Sequence, residues 1–142
     1  MVQLKNKDEI GKIAAAGKIV AEVLEAMAEL VRPGVSTWDL DGAARQIIER
    51  AGAVPSFLGY GNPPFPAAIC ASIDREVVHG IPDPDRILQE GSIIAIDVGA
   101  YVDGFHADAA RTFKVGGVAP EVNKLLEITE KCFWQAFSLA RQ

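Results

Sequence analysis

Apolar residues recur at steps of three and four from the start of the chain: Ile10, Ile13, Gly17, Val20, Leu24, Met27 and Val31. That spacing is helical and predicts a helix over residues 7–31 with one buried stripe. Arg32-Pro33-Gly34 ends it, because proline lacks the N–H that would continue the ladder and glycine suits a helix exit. Ser36 then stands where an N-cap belongs, with Asp39 near the capping-box position. A second helix should follow, burying Leu40, Ala43, Ala44, Ile47 and Ile48 and ending at Gly52.

The pattern changes at residue 54. Residues 54–66 hold four prolines among glycines and aromatics, which leaves few backbone donors for a sheet ladder and predicts a shaped loop. Residues 67–72 and 75–78 are expected as short strands about a turn at Ile73-Asp74, followed by the turn-rich run His79-Gly80-Ile81-Pro82-Asp83-Pro84. Residues 92–100 form the clearest strand; Ile93, Ile94, Ile96 and Val98 put apolar side chains on both faces and predict burial on both. Asp103-Gly104 is a hairpin signal, residues 105–114 return, and Gly116-Gly117 close the element. Pro120 suits the first turn of a third helix with Val122, Leu125, Leu126, Thr129, Cys132, Phe133, Ala136 and Leu139 on its apolar face. Helices, then antiparallel strands, then a helix make one α+β domain over residues 1–142.

Composition narrows the class. The chain has 142 residues, 49% hydrophobic and 23% charged, which suits a soluble globular domain with a real core. A net charge of −5 argues against a nucleic-acid partner. Lys5, Lys7, Lys12 and Lys18 are interleaved with Asp8, Glu9 and Glu22, as on a solvated helix face. No apolar run is long enough to span a bilayer, the charges near the N-terminus do not fit a signal peptide, and Cys70 and Cys132 read as free thiols, so a cytoplasmic protein without membrane contact is expected.

The most informative residue is Asp97, set inside Ile-Ile-Ala-Ile-Asp-Val-Gly near the middle of a strand. A carboxylate there is costly unless paired or bound to a metal. Asp108 lies on the returning strand. If the chain folds between Val102 and Asp103, Asp97 faces Asp108 directly; if it folds at the centre of Asp103-Gly104, Asp97 faces Ala110 and Asp108 is its diagonal neighbour. Either way the two carboxylates share a face, since side chains alternate along a strand. Opposed Cβ atoms lie roughly 4.5–5.5 Å apart, against about 3.5–4 Å between the metals of a dinuclear hydrolase, so the pair suits bridging hard cations. The plainer alternative has Asp108 bonded to backbone amides or to Arg111. His79, where a strand opens into a Gly-Pro loop, is a candidate functional side chain, though a lone histidine is more often structural than catalytic. His106 shares the Asp108 face and is expected to be a simply hydrogen-bonded histidine.

Two motifs then carry a resemblance. The run from Cys70 through Ser72, Asp74 and Glu76 to His79-Gly80-Ile81-Pro82, followed by Ile96-Asp97-Val98-Gly99, Asp103-Gly104-Phe105-His106-Ala107-Asp108 and Ala110-Arg111-Thr112-Phe113, resembles type I methionine aminopeptidases in order and separation, and the likeness extends along essentially the whole chain. The resemblance implies the first half of a pita-bread fold, a curved antiparallel sheet with flanking helices. It implies removal of the initiator methionine from nascent polypeptides by a water activated by two divalent ions (cobalt, manganese, iron or zinc). It implies that Asp97 and Asp108 are metal ligands, Asp108 bridging, that His79 contacts the scissile amide, and that Tyr60, Phe65 and Cys70 line the methionine pocket. The ribosome is a further partner on this view, and the full-length form is expected to be a monomer. Asp74 stands where the family usually has Asn. The family also needs a further His and two Glu as ligands, which this sequence lacks in the family's motifs, so the chain is expected to be C-terminally truncated and inactive alone. Two alternatives stand beside this: a non-catalytic pita-bread binding module, and a sister hydrolase such as a proline dipeptidase.

Overall fold

The computed structural model describes residues 3–140. Helix α1 spans Lys7–Leu30 and helix α2 Thr37–Arg50. Both begin with a reciprocal capping box: the Asn6 side chain accepts from the Glu9 N–H while Glu9 reaches back, and Ser36 and Asp39 do the same. The second box is the one the sequence pointed to. Strands β1 (Val54–Pro55), β2 (Ile69–Ile73), β3 (Ile93–Val102) and β4 (Phe105–Lys114) form one antiparallel sheet, and α3 covers Pro120–Leu139. No helix is long and apolar enough to cross a membrane among the described residues.

Strand β3 is the centre of the sheet. β4 pairs along one edge for its whole length, while β1 and β2 pair end to end along the other, with Pro55 opposite Ala100 and Ile69 opposite Val98. Ile94, Ile96, Val98 and Ala100 are fully buried, and against them pack Val20, Val23 and Met27 of α1 with Leu40, Ala44 and Ile48 of α2. Ala107 and Ala109 of β4 join this layer. α1 and α2 therefore cover one face of the sheet, and the other face is left for chemistry.

Five expectations need correction. Val54 and Pro55, expected within a loop, pair with β3 as the short strand β1. The buried stripe of α1 is Ala16, Val20, Val23 and Met27: Val20 and Met27 were expected, Leu24 and Val31 pack partly buried against the core, and Ile10 is largely exposed. Residues 75–78 are not a strand: the chain turns at Asp74-Arg75 and runs exposed to Gly80, because Glu76 folds back to accept the Ile73 N–H and binds Arg86. The second face of β3 is only partly buried: Ile93, Ala95 and Asp97 are half-buried there, and Gly99 alone is buried. Finally, α3 has its apolar residues but buries none of them. Leu125, Ile128, Phe133, Trp134, Phe137 and Leu139 are all largely exposed, and Phe133, Trp134 and Phe137 stack on one another instead.

Candidate active site

The uncovered face of the sheet collects the candidate residues. The hairpin turns at Asp103-Gly104, Asp103 at φ 51° and Gly104 at φ 86°, both in the left-handed region this two-residue turn demands. That turn fixes the register: Asp97 faces Ala110 and Gly99 faces Asp108. Of the two arrangements open from sequence, the diagonal one holds, and both carboxylates lie on the face away from α1 and α2. Arg111 falls on the opposite face, with its guanidinium over the Phe113 ring, and is not Asp108's partner.

Gly99 has a specific reason to be glycine. A Cβ there would lie 2.8 Å from the Ser56 Cβ and 3.0 Å from the Phe57 ring, so only a bare backbone lets the segment that follows β1 lie across β3 beside the carboxylates. The Ser56 N–H donates to the Gly99 carbonyl at 2.9 Å, and the Ser56 hydroxyl bonds His106 Nδ1 at 2.9 Å. His106 also lies against the Tyr101 ring, centroids 4.5 Å apart, as the hydrogen-bonded histidine expected of it.

His79 is delivered by backbone constraint. It sits at φ 59°, uncommon for a residue with a Cβ, and Gly80 beside it is clamped onto β2. The Gly80 carbonyl accepts from the Ala71 N–H at 2.8 Å, and its N–H donates to the Ser72 hydroxyl at 3.1 Å. A Cβ on Gly80 would meet the Ala71 carbonyl carbon at 2.8 Å and Ser72 Cα at 2.9 Å, neither of which can move aside.

These elements enclose a cavity of about 550 Å³. Tyr60, Phe65, Cys70, His79, Asp97 and Asp108 all line it, so every residue singled out from sequence reaches one place. Phe57 and Ile81 line it too and were missed; their only signal was apolar character within Pro- and Gly-rich loops. Tyr60 is 78% exposed at the rim, whereas Cys70 is buried opposite Asp97. The wall from Phe57 to Pro66 is apolar, and the floor carries the two carboxylates.

The electrostatics of the floor are unfavourable as it stands. Burial pushes the Asp97 carboxyl above the ordinary carboxylate range, the Asp108 charge adds to this, and His79 opposes it. Burial, with the charges of Asp97 and then Asp108, pushes the Cys70 thiol up to about 11. The Asp97 Oδ1 atom is buried with no hydrogen-bond partner. An unpartnered buried carboxylate oxygen beside a second carboxylate is what a hard cation would relieve, so these donors fit a divalent metal. They fit it as part of a site. Among the described residues, no group of three or more His, Cys, Asp or Glu side chains is arranged to hold an ion.

Comparison with known proteins gives the family and the fold. The family model for metallopeptidase family M24 matches residues 11–142. A methionine aminopeptidase of Clostridium acetobutylicum is 46% identical over 140 residues, covering 99% of this chain and 55% of its own length. One from Aquifex aeolicus is 48% identical over 144 residues, covering 98% of this chain and 55% of its own length. The crystal structure of a Thermotoga maritima methionine aminopeptidase superimposes with a TM-score of 0.95 at 33% identity, over 99% of this chain and 56% of that one. The chain thus spans about half the length of the relatives it matches and has the pita-bread fold over that length.

Proposed function

The chain belongs to metallopeptidase family M24, and from that premise we propose that it supplies part of the active site of a methionine aminopeptidase. In this reading Asp97 and Asp108 would both serve as ligands to a pair of divalent ions. Such ions supply Lewis acidity and a nucleophilic water at neutral pH. The identity of the metal (cobalt, manganese, iron or zinc) does not follow from two carboxylates, which suit any of the four.

The chain's own residues have separable tasks. The Tyr60, Phe65 and Cys70 wall accepts an unbranched apolar side chain, and a thioether suits a soft pocket of this kind. His79, held rigid at φ 59° by the Gly80 clamp, reaches over the floor, where it can hydrogen-bond the peptide group next to the bound residue. The observation that carries the reading is the orphaned Asp97 oxygen on the same face as Asp108, in the cavity that also holds His79. The substrate is then the N-terminal methionine of a nascent polypeptide, in the cytoplasm and near the ribosome.

Two carboxylates cannot hold two cations and leave a position open for water. The family resemblance implies that a further His and two Glu complete the set. The test is cleavage of a Met-Gly peptide against an Xaa-Pro dipeptide with added manganese or cobalt. The chain alone is expected to turn over neither; joined to a segment bearing the remaining ligands, it should cleave Met-Gly. Preference for Xaa-Pro would reassign it to a proline dipeptidase. Failure of the joined protein on both peptides with metal bound would favour a non-catalytic binding module.

A further inference from the structure

β2 has no neighbouring strand on its outer edge among the described residues, yet none of its outward N–H groups is left open. The Ile73 N–H donates to the Glu76 carboxylate at 2.7 Å and the Ala71 N–H to the Gly80 carbonyl at 2.8 Å. The third, at Ile69, is closed from a different element. Asp41 on α2 accepts from the Ala68 N–H at 2.7 Å and the Ile69 N–H at 3.1 Å, both on Oδ1. Its other oxygen meets Arg45 at 3.3 Å. Asp41 is only 2% exposed, a position a carboxylate rarely takes without a partner set of this kind.

These two amides lie where the segment between β1 and β2 enters β2, directly before Cys70. One turn earlier on the same face of α2, Thr37 grips the other wall: its hydroxyl donates to the Asp83 carbonyl at 3.1 Å and accepts from the Asp83 N–H at 2.9 Å. We propose that Asp41 is a positioning residue that fixes the Cys70 wall of the cavity from outside it, with Thr37 doing the same for the loop that carries His79. Asp41 does not line the cavity and touches no reacting group. It acts through the two amides, which would otherwise be buried donors free to let the strand entry shift. That this wall receives a substrate side chain rests on the function proposed above; the anchoring does not.

The anchoring is tested on the chain itself, in a Cys132→Ser background so that Cys70 is the one thiol. Under native conditions Asp41→Ala should speed reaction of Cys70 with an aryl disulfide about ten- to hundredfold, as expected when a charge-assisted bond is lost. Asp41→Asn, which keeps an oxygen at the same place, should restore a rate close to the parent's. Ile48→Val, which loosens the same helix without touching the two amides, should change the rate only as far as it lowers overall stability. An unchanged rate in Asp41→Ala, no rescue by Asn, or an equal effect of Ile48→Val overturns the proposal. If Asp41→Ala does not fold, amide exchange on the parent decides: Ala68 and Ile69 should be as protected as the middle of β2, and loop-like exchange there refutes the anchor. None of these readouts involves metal or peptide, so a chain inert to peptides leaves this result standing.

Discussion

Replacing Asp97 by Asn should make the metal-free protein more stable, the reverse of the usual effect of changing a half-buried residue. Asp97 places one oxygen in the interior without a partner and next to a second carboxylate. A buried acceptor without a bond costs roughly 1–3 kcal/mol, and an amide could donate to Asp108 instead of repelling it. For a domain of this size the gain corresponds to a Tm rise of roughly 3–10 °C. The pH dependence fixes the sign. The folded carboxyl lies above its ordinary 3.8, so the native state keeps the proton to higher pH than the unfolded chain does. Stability therefore falls as pH rises through the window between 3.8 and the raised value. The advantage of Asp97→Asn should be small below that window and complete above it. Thermal melts in chelator from acid to neutral pH measure this directly. Adding manganese should reverse the order, because a ligand that binds only the folded parent stabilises it by mass action. An Asp97→Asn variant less stable than the parent in chelator at neutral pH would refute the reasoning, since Asp97 would then be a satisfied structural group.

Other outcomes follow from single contacts. Gly80→Ala should destabilise by about 1–3 kcal/mol through overpacking against β2 backbone and displace His79, seen as a lowered Tm and a shifted His79 imidazole resonance. Gly104→Ala, with open space around it but φ at 86°, should cost only about 1 kcal/mol of backbone strain by the same melt. Thiol titration at pH 8 should find one fast group, exposed Cys132, and one slow group, Cys70, whose thiol is buried and pushed up to about 11. The exposed cluster of Phe133, Trp134 and Phe137 should make the isolated chain self-associate, and Phe133→Lys with Phe137→Lys should shift sedimentation toward monomer.

Local signals carried much of this into the sequence. Ser36-x-x-Asp39 marked a helix start because the capping box is built within four residues, and Asn6-x-x-Glu9 was equally visible and overlooked. Asp103-Gly104 marked the hairpin, and with it the shared face of Asp97 and Asp108, because side-chain alternation needs no tertiary knowledge. What failed was decided at long range. Residues 75–78 have strand composition, but Glu76 bonding back to Ile73 and across to Arg86 takes them out of the ladder. α1's stripe was only partly placed: Val20 and Met27 are buried as expected, but Ala16 and Val23 are buried while Ile10 is exposed, and periodicity alone cannot tell which of two adjacent stripes a partner will cover. Asp41 gave no sign of importance, since its partners, Ala68 and Ile69, lie 27 and 28 residues away and are backbone amides without side-chain identity. The likeness of the Cys70–His79 and Asp97–Asp108 runs to one family supplied roles that spacing alone left open.

A cation titration examines the floor of the cavity itself. Manganese binding to the purified chain, followed by the loss of free-ion paramagnetic signal, should be weak but saturable in the parent, and both Asp97→Asn and Asp108→Asn should abolish it while leaving the protein folded. Binding that survives in both variants with unchanged affinity would place the ion elsewhere and remove the metallopeptidase role from these two aspartates.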